Sequence, residues 1–529
     1  MKLIRSLLLA GIATGMCSTA LYAADYYVLA AKPGPVAGTP LAVIALQAST
    51  KADATRLQTN VNQRGNTAGK WVSVGQKTAV ADAGTATIST LSGTGTAAAS
   101  TAGSSPAVTT AAASTAGSSL AVTTSAVVAP VAAPAAGTTY NSFGALVQSG
   151  KLVGGDRVFL MDGYHGPMNI RDMTFASPVT IAAMPGKTAQ VDSIEVFNSS
   201  NLVFQDLKVW PTNIASGNIA LVRAFGGSSN LVFKNLDVRS ASDAGNYLQW
   251  SLATWTANKR GGFLVDGANI SIIGNRVTGT YQAIFSLGKN ALVEKNIVDG
   301  FAGDGMRALG DFSTVRGNKV QNCHHIGGNH DDGFQSFSRS ASGQSGGGTV
   351  YNLTIENNKF YEWNASVPNS IGCQLQGIGM FDGMYENVVI RNNVISVSAY
   401  HGLTVAGGRN VVISNNTVVH PKGLTGSSPW IRIAPHKNGT SPTDVTVANN
   451  TANAVKVYPN AARRIVVANN IVVVNATAEF TSLAKQDFTL LPTAKSANAG
   501  SAAYATPFDI AGVPRPKGTG PDAGAYESQ

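Results

Sequence analysis

From about Asn198 onward the chain repeats one short phrase, an apolar-alternating strand that closes on asparagine. It reads NLVFQDLKV (201–209), NLVFKNLDV (230–238), NISIIGNRV (269–277), NALVEKNIV (290–298) and FSTVRGNKV (312–320). It continues as NLTIENNKF, NVVIRNNVI, NVVISNNTV, DVTVANNTA and RIVVANNIV. Taken by eye, the closing column is Asp206, Asn235, Asn275, Asn296, Asn318, Asn358, Asn393, Asn416, Asn450 and Asn470. The shortest intervals, 20 to 22 residues, match one coil of a parallel β-solenoid, and longer intervals are the same coil with a loop added. Coils stack about 4.8 Å apart. At that spacing, side-chain amides can bond one to the next in a ladder. A two-layer sandwich would need hairpin turns and tolerate less regular repeats. The expectation is an all-β chain, a single-stranded parallel β-helix of about ten or more coils.

Composition narrows the rest. Only 12% of residues are charged, about half the usual ~25%. That excludes a charge-rich disordered chain and basic blocks of the nucleic-acid-binding kind, so no nucleic-acid partner is expected. Met1 to the Leu-Tyr-Ala at 21–23 reads as a secretory signal, with Lys2 and Arg5 ahead of an apolar stretch. The expected location is therefore secreted or periplasmic. No later apolar run approaches the ~18 residues of a bilayer span, so no transmembrane segment is expected, and the chain is expected to act as a monomer. Residues 24–83 are expected to contribute an initial strand at Asp25. Residues 84–137 hold no charged residue and duplicate TAGSSPAVTT (101–110) as TAGSSLAVTT (115–124), which reads as a disordered insert. Residues 138–529 are the β-helix. The mature charge is near +8 (10 minus Lys2 and Arg5), which suits an acidic partner such as a polyuronate and equally suits simple solubility. Cys323 and Cys373 remain after signal removal and could pair in an oxidising compartment.

After each Asn strand and a turn comes a second strand: QAIFSLG (282–288), DGMRALG (304–310), DGFQSFS (332–338), QGIGMFD (376–382), HGLTVAG (401–407) and PWIRIAP (429–435). Aligned on the inward residue (Ile284, Met306, Phe334, Ile378, Leu403, Ile431), the next position turns outward. That outward column is Phe285, Arg307, Gln335, Gly379, Thr404 and Arg432. The first column is Gln282, Asp304, Asp332, Gln376, His401 and Pro429, followed by Gly at 305, 333, 377 and 402. Those glycines are expected to let a sugar chain approach the backbone. The face gathers Asp304, Arg307, His330, Asp332 and His401 as candidate catalytic groups, with Gln335, Gln376, Thr404 and Arg432 as substrate contacts. Asp331 and Asp332 could hold a calcium ion, could split into acid and base, or could cap a turn. His324-His325 could be a turn or a metal site, and the turn reading leads. Tyr361, Trp363, Tyr400 and Trp430 are candidates to stack on sugars. Loops near 339–350, 361–375 and 421–430 are expected to wall the groove.

Beyond the ten rungs, GDRVFLMDGYHGPMNI (155–170) resembles the first coil of right-handed parallel β-helix polysaccharide-active proteins, and GVPRPKGTGPDAGAYE (512–527) resembles their closing segment. The chain thus resembles the pectin-lyase-like superfamily, its ends those of the alginate and chondroitin lyase branch. The resemblance implies a right-handed coil and an acidic polysaccharide substrate, cleaved by β-elimination with calcium or Arg neutralising the uronate carboxylate. DGM (304–306), DD (331–332), HG (401–402) and RI (432–433) also follow the order of polygalacturonase elements, which implies a glycoside hydrolase instead. A C5-epimerase shares the lyase's first proton abstraction. A non-catalytic, polysaccharide-binding surface or biofilm protein is the fourth reading.

Overall fold

The structure, a computed structural model, describes residues 23–30, 137–212 and 220–528. The expected signal segment and nearly all of the expected insert lie outside these residues; Asp25–Val28 is the expected initial strand. Three parallel sheets of 15, 12 and 11 strands run the length of the described coil. One turn shows the construction: Ala268–Ile273 in the first sheet, Arg276–Thr280 in the second, Ile284–Ser286 in the third, then Leu292–Glu294 back in the first. Each strand pairs with its counterparts one coil below and one coil above, which is the parallel β-helix that the repeats imply.

Inward side chains line up in vertical columns. In the first sheet Phe233 pairs with Ile272, then Val293, Val315, Ile355, Ile390, Ile413 and Val447, all buried. Phe204 and Phe233 stack at 5.4 Å. A continuous apolar column of this kind removes each rung from water against its neighbours and fixes the register, because a one-residue slip would turn every apolar side chain outward.

The corner between first and second sheets carries the asparagines. Asn275 Nδ2 donates to Asn296 Oδ1 at 2.9 Å, and the chain of amides continues through Asn318, Asn358, Asn393, Asn416, Asn450 and Asn470. Each Oδ1 also accepts the backbone N–H of the preceding rung. The eye-made column is wrong at its first two members. Register puts Leu207 and Leu236 at the ladder position, and Leu236 N donates to Asn275 Oδ1. Asp206 and Asn235 fall one residue earlier, at a position of positive φ (58° and 52°) that Asn357, Asn392 and Asn415 fill in later coils. Short polar side chains tolerate that conformation, so both positions favour Asn and a single Asn does not say which it occupies. A second, exposed amide ladder runs along the opposite end of the first-sheet strands, from Asn290 to Asn269 to Asn230.

Residues 499–527 run back along the positive-φ corner of the last coils. Asn392, Asn415, Asn449 and Asn469 donate to backbone carbonyls of Phe508, Asp522, Ser501 and Ala499. Arg515, wholly buried, anchors this strap on Glu527, Thr506 and Asn392.

Candidate functional site

The third sheet builds the expected face. Ile284 pairs with Met306, Met306 with Phe334, Phe334 with Ile378, Ile378 with Leu403 and Leu403 with Ile431. The outward column is therefore Phe285, Arg307, Gln335, Gly379, Thr404 and Arg432, as the alignment expects. At the first column Asp332 opposes Gln376, but a bulge at Gly402 sets Trp430, not Pro429, opposite His401.

Two expectations fail on packing. Gly305, Gly333, Gly377 and Gly402 face the core and do not open the groove. A Cβ there would sit 2.5 Å from Val320, 2.9 Å from Phe360, 2.4 Å from Ile395 and 2.3 Å from Val418. They are glycines because the second sheet presses on them from inside. Tyr361 and Trp363 are likewise packing residues: Tyr361 is buried beside Phe488, and Trp363 meets His324 and donates to Val367 O. Tyr400, 50% exposed, and the half-buried Trp430 remain on the surface.

The candidate groups separate into two layers. The lower layer is dry. Arg307, 4% exposed, pairs with Asp304, and its guanidinium lies 4.4 Å over the Phe285 ring and 5.6 Å over Phe337. Asp332 is fully buried; its N–H donates to Asp304 Oδ1 and its Oδ2 accepts from Gln335 Nε2 at 2.9 Å. Burial raises the carboxyl pKa of both aspartates, that of Asp332 furthest, with the Asp304 charge adding to it. The guanidinium is paired with Asp304, while burial and the Asp304 charge both act against ionisation of Asp332. Arg307 Nη1, Asp332 Oδ1, Gln335 Oε1 and Gln376 Oε1 have no hydrogen-bond partner among the described residues.

The upper layer reaches solvent. His325, exposed, places Nδ1 2.6 Å from Oδ2 of the buried Asp331. Asp331 Oδ1 accepts from Asn329 Nδ2, and Asn329 Oδ1 accepts from the Tyr281 hydroxyl. Burial pushes the Asp331 carboxyl up to about 7 despite the His325 bond. Burial, with the charges of Asp304 and Asp331, pushes Tyr281 up to about 12. His330 is exposed and close enough to act electrostatically on both Asp304 and His401. His401 bonds Thr404 Oγ1 through Nδ1 at 2.8 Å, and Trp430 Nε1 donates to the same oxygen. Burial, then Arg432 and His330, lower His401 to about 4, so it is neutral at pH 7. Around it stand Phe381 at 4.7 Å, Tyr400 at 4.4 Å and Trp430 at 5.2 Å. Lys456 and Arg432 lie 3.7 and 5.7 Å over the Trp430 ring.

Neither His325 nor Tyr281 stands out in the sequence. His325 pairs with a carboxylate six residues away across a loop, and no periodicity places that loop. Cys323 and Cys373 form a disulfide, which removes both thiols from any metal role beside Asp331. Asp331 and Asp332 do not fit a calcium site: calcium takes 6–8 oxygens, and three of their four are engaged by His325, Asn329 and Gln335. The fourth, Asp332 Oδ1, lies 2.7 Å from where a Cβ of Gly379 would stand.

A family model described as "Right handed beta helix region" matches residues 261–432. That span holds the site from Tyr281 to Arg432, leaves Lys456 beyond it, and agrees with the fold. No curated protein matches the chain. Among solved structures the chain is similar to pectate lyase Pel9A, at 14% identity and TM-score 0.38, over 74% of this chain and 91% of that one. It is similar to the PL6 family alginate lyase AlyGC at 15% identity and TM-score 0.37, over 63% of this chain and half of that one. It is also similar to the Azotobacter vinelandii mannuronan C-5 epimerase AlgE4 A-module at 13% identity and TM-score 0.34, over 62% and 91% of the two chains. No helix among the described residues is long and apolar enough to cross a membrane.

Proposed function

We propose that the chain is an exported enzyme that cleaves an acidic, uronate-containing polysaccharide by β-elimination on the outer face of the third sheet. The observation that carries this reading is the His325–Asp331 pair, a solvent-reaching imidazole held by a buried carboxylate. With Nδ1–H on Asp331, Nε2 is the free acceptor, and the carboxylate steadies the imidazolium that forms. His325 takes the proton α to the uronate carboxylate. The C–H electron pair becomes a C=C bond, the C–O bond to the leaving sugar breaks, and the proton passes to the leaving oxygen. Farther along the sheet, Arg432 and Lys456 supply positive charge for the carboxylates of neighbouring uronate units, and Tyr400 and Trp430 supply ring faces for sugar C–H bonds. Arg307 is committed to Asp304 and serves the floor.

An inverting hydrolase needs two carboxyl groups with a water between them. The ion pair on Asp304 and the full burial of Asp332 favour elimination over that reading. The amino-terminal signal pattern and the Cys323–Cys373 disulfide support export. The test is to incubate the purified protein with alginate, pectate and glucuronan and follow ultraviolet absorbance from unsaturated ends. Rising absorbance that His325→Ala removes supports the proposal. New reducing ends without absorbance indicate hydrolysis, an altered uronate ratio indicates epimerisation, and binding alone indicates an adhesin.

A further inference from the structure

The third sheet carries a second concavity at the opposite strand ends, away from the histidines. A cavity of about 510 Å³ is lined by Asp266, Leu287, Lys289, Leu309, Asp311 and Arg339, with Ser340 and Thr349 on its wall. That volume falls in the ~300–1,000 Å³ range of small-ligand sites. Its floor is apolar, because Leu287 and Leu309 belong to a small buried cluster with Phe285 and Phe337. Backbone approaches closely at the adjacent corner: a Cβ on Gly288 or Gly310 would fall 1.8 Å from the carbonyl of Gly267 or Gly288.

The wall is a built element. Residues 338–346 form a closed turn in which Arg339 bridges Ser345, Ser340 N bonds Gln344 O and Gln344 N bonds Ser340 Oγ. Arg339 is held in place by Leu287 O at 2.5 Å and by Asp266 at 3.6 Å. Asp311 Oδ1 accepts from Tyr351 N. Lys289 is exposed and makes no ion pair among the described residues. The cavity therefore offers an apolar floor, hydroxyls, a carboxylate rim and one uncommitted ammonium.

We propose that this cavity is a separate binding site for an acidic sugar residue, which places its apolar ring face on Leu287 and Leu309 and its carboxylate on Lys289. With Asp266 and Arg339 paired with each other, Lys289 is left to meet one carboxylate and Asp311 to accept from hydroxyls, which favours a ligand with one carboxylate and several hydroxyls, such as a uronate within an oligosaccharide. The choice of a uronate rests on the proposed function; the existence of the site does not.

The test uses the full chain carrying Arg432→Ala, so that the histidine cleft is weakened, and measures tetragalacturonate and tetramannuronate binding by calorimetry. Lys289→Glu added to that background should lower the affinity for whichever oligomer binds about tenfold or more, and Ser340→Trp, which fills the cavity, should do the same. A neutral tetrasaccharide should not bind there. Unchanged affinity in both variants, with folding verified by their melting curves, overturns the site, as does failure of both oligomers to bind. Lys289-dependent binding by a chain inactive on every polyuronate would leave this site standing and defeat the elimination reading.

Discussion

Cys373 Sγ lies 3.7 Å from Asp331 Oδ2, so the disulfide packs directly against the carboxylate that orients His325. The bridge joins the end of a second-sheet strand to the 362–375 loop of the next coil, across 50 residues of sequence. Reduction, or Cys373→Ser, is expected to cost about 2–4 kcal/mol. Thermal melts with and without reductant measure the loss. The same treatment should lower turnover below the new melting point, because the His325 loop loses its support.

Replacing His325 by Ala should lower turnover by about 10²–10⁴, the usual worth of a positioned acid–base group, while leaving the melting temperature near wild type because His325 is exposed. Asp331→Asn should lower turnover as well. Initial rates of ultraviolet absorbance, beside melting curves, check both. Full activity in His325→Ala would remove the base from this account.

The two kinds of buried titrating group push stability in opposite directions. Asp331 has its pKa raised from 3.8 to about 7 in the folded chain, so the fold holds a proton that the unfolded chain has released. Its contribution is present below pH 4 and is lost as pH rises toward 7. His401 and His324 have theirs lowered from 6.5 to about 4, so the unfolded chain binds protons that the fold refuses. Their contribution is present above pH 6.5 and is lost as pH falls toward 4. Asp331→Asn should shrink the first slope, leaving the share of Asp304 and Asp332, and should leave the second unchanged, as denaturant midpoints taken from pH 4 to 8 would show.

The buried and exposed amide ladders should differ in worth. Asn318→Ala leaves one N–H of the Asn296 side-chain amide and the Asn296 backbone N–H without acceptors, which costs about 1–3 kcal/mol per buried group. Asn269→Gly in the exposed ladder breaks comparable bonds where water replaces them, at a φ of 58° that glycine adopts freely, and should cost under about 1 kcal/mol. Urea midpoints of the two variants compare them directly.

Arg307 and Asp304 should show the asymmetry of a buried pair. Arg307→Met alone strands a carboxylate and should cost about 3–5 kcal/mol. Arg307→Met with Asp304→Asn should recover much of that, since no unpartnered charge is then left behind. A double-mutant cycle in urea gives the coupling energy.

The register of the third sheet was legible because period-two alternation fixes which side chains face out; Met306 over Phe334 and Arg307 over Gln335 follow from it. Burial was not legible. The same alternation that turns Arg307 outward says nothing about Phe285 and Phe337 closing over it. Nor does a Gly after Asp304 reveal whether its bare face meets solvent or Val320. The His325–Asp331 contact depends on the path of a loop between strands, where no repeat operates. Leu207 and Leu236 escaped because Asn suits both the ladder and the positive-φ position beside it.

Coil lengths in this chain vary about twofold, yet the amide ladder from Asn275 to Asn470 is unbroken. The length variation is discharged at the other corners, where 324–331, 338–348, 362–375, 420–429 and 435–442 project. The spine and the projecting segments are therefore free to change independently: a segment can be exchanged whole, with a new recognition surface, and the rungs beneath it keep their partners.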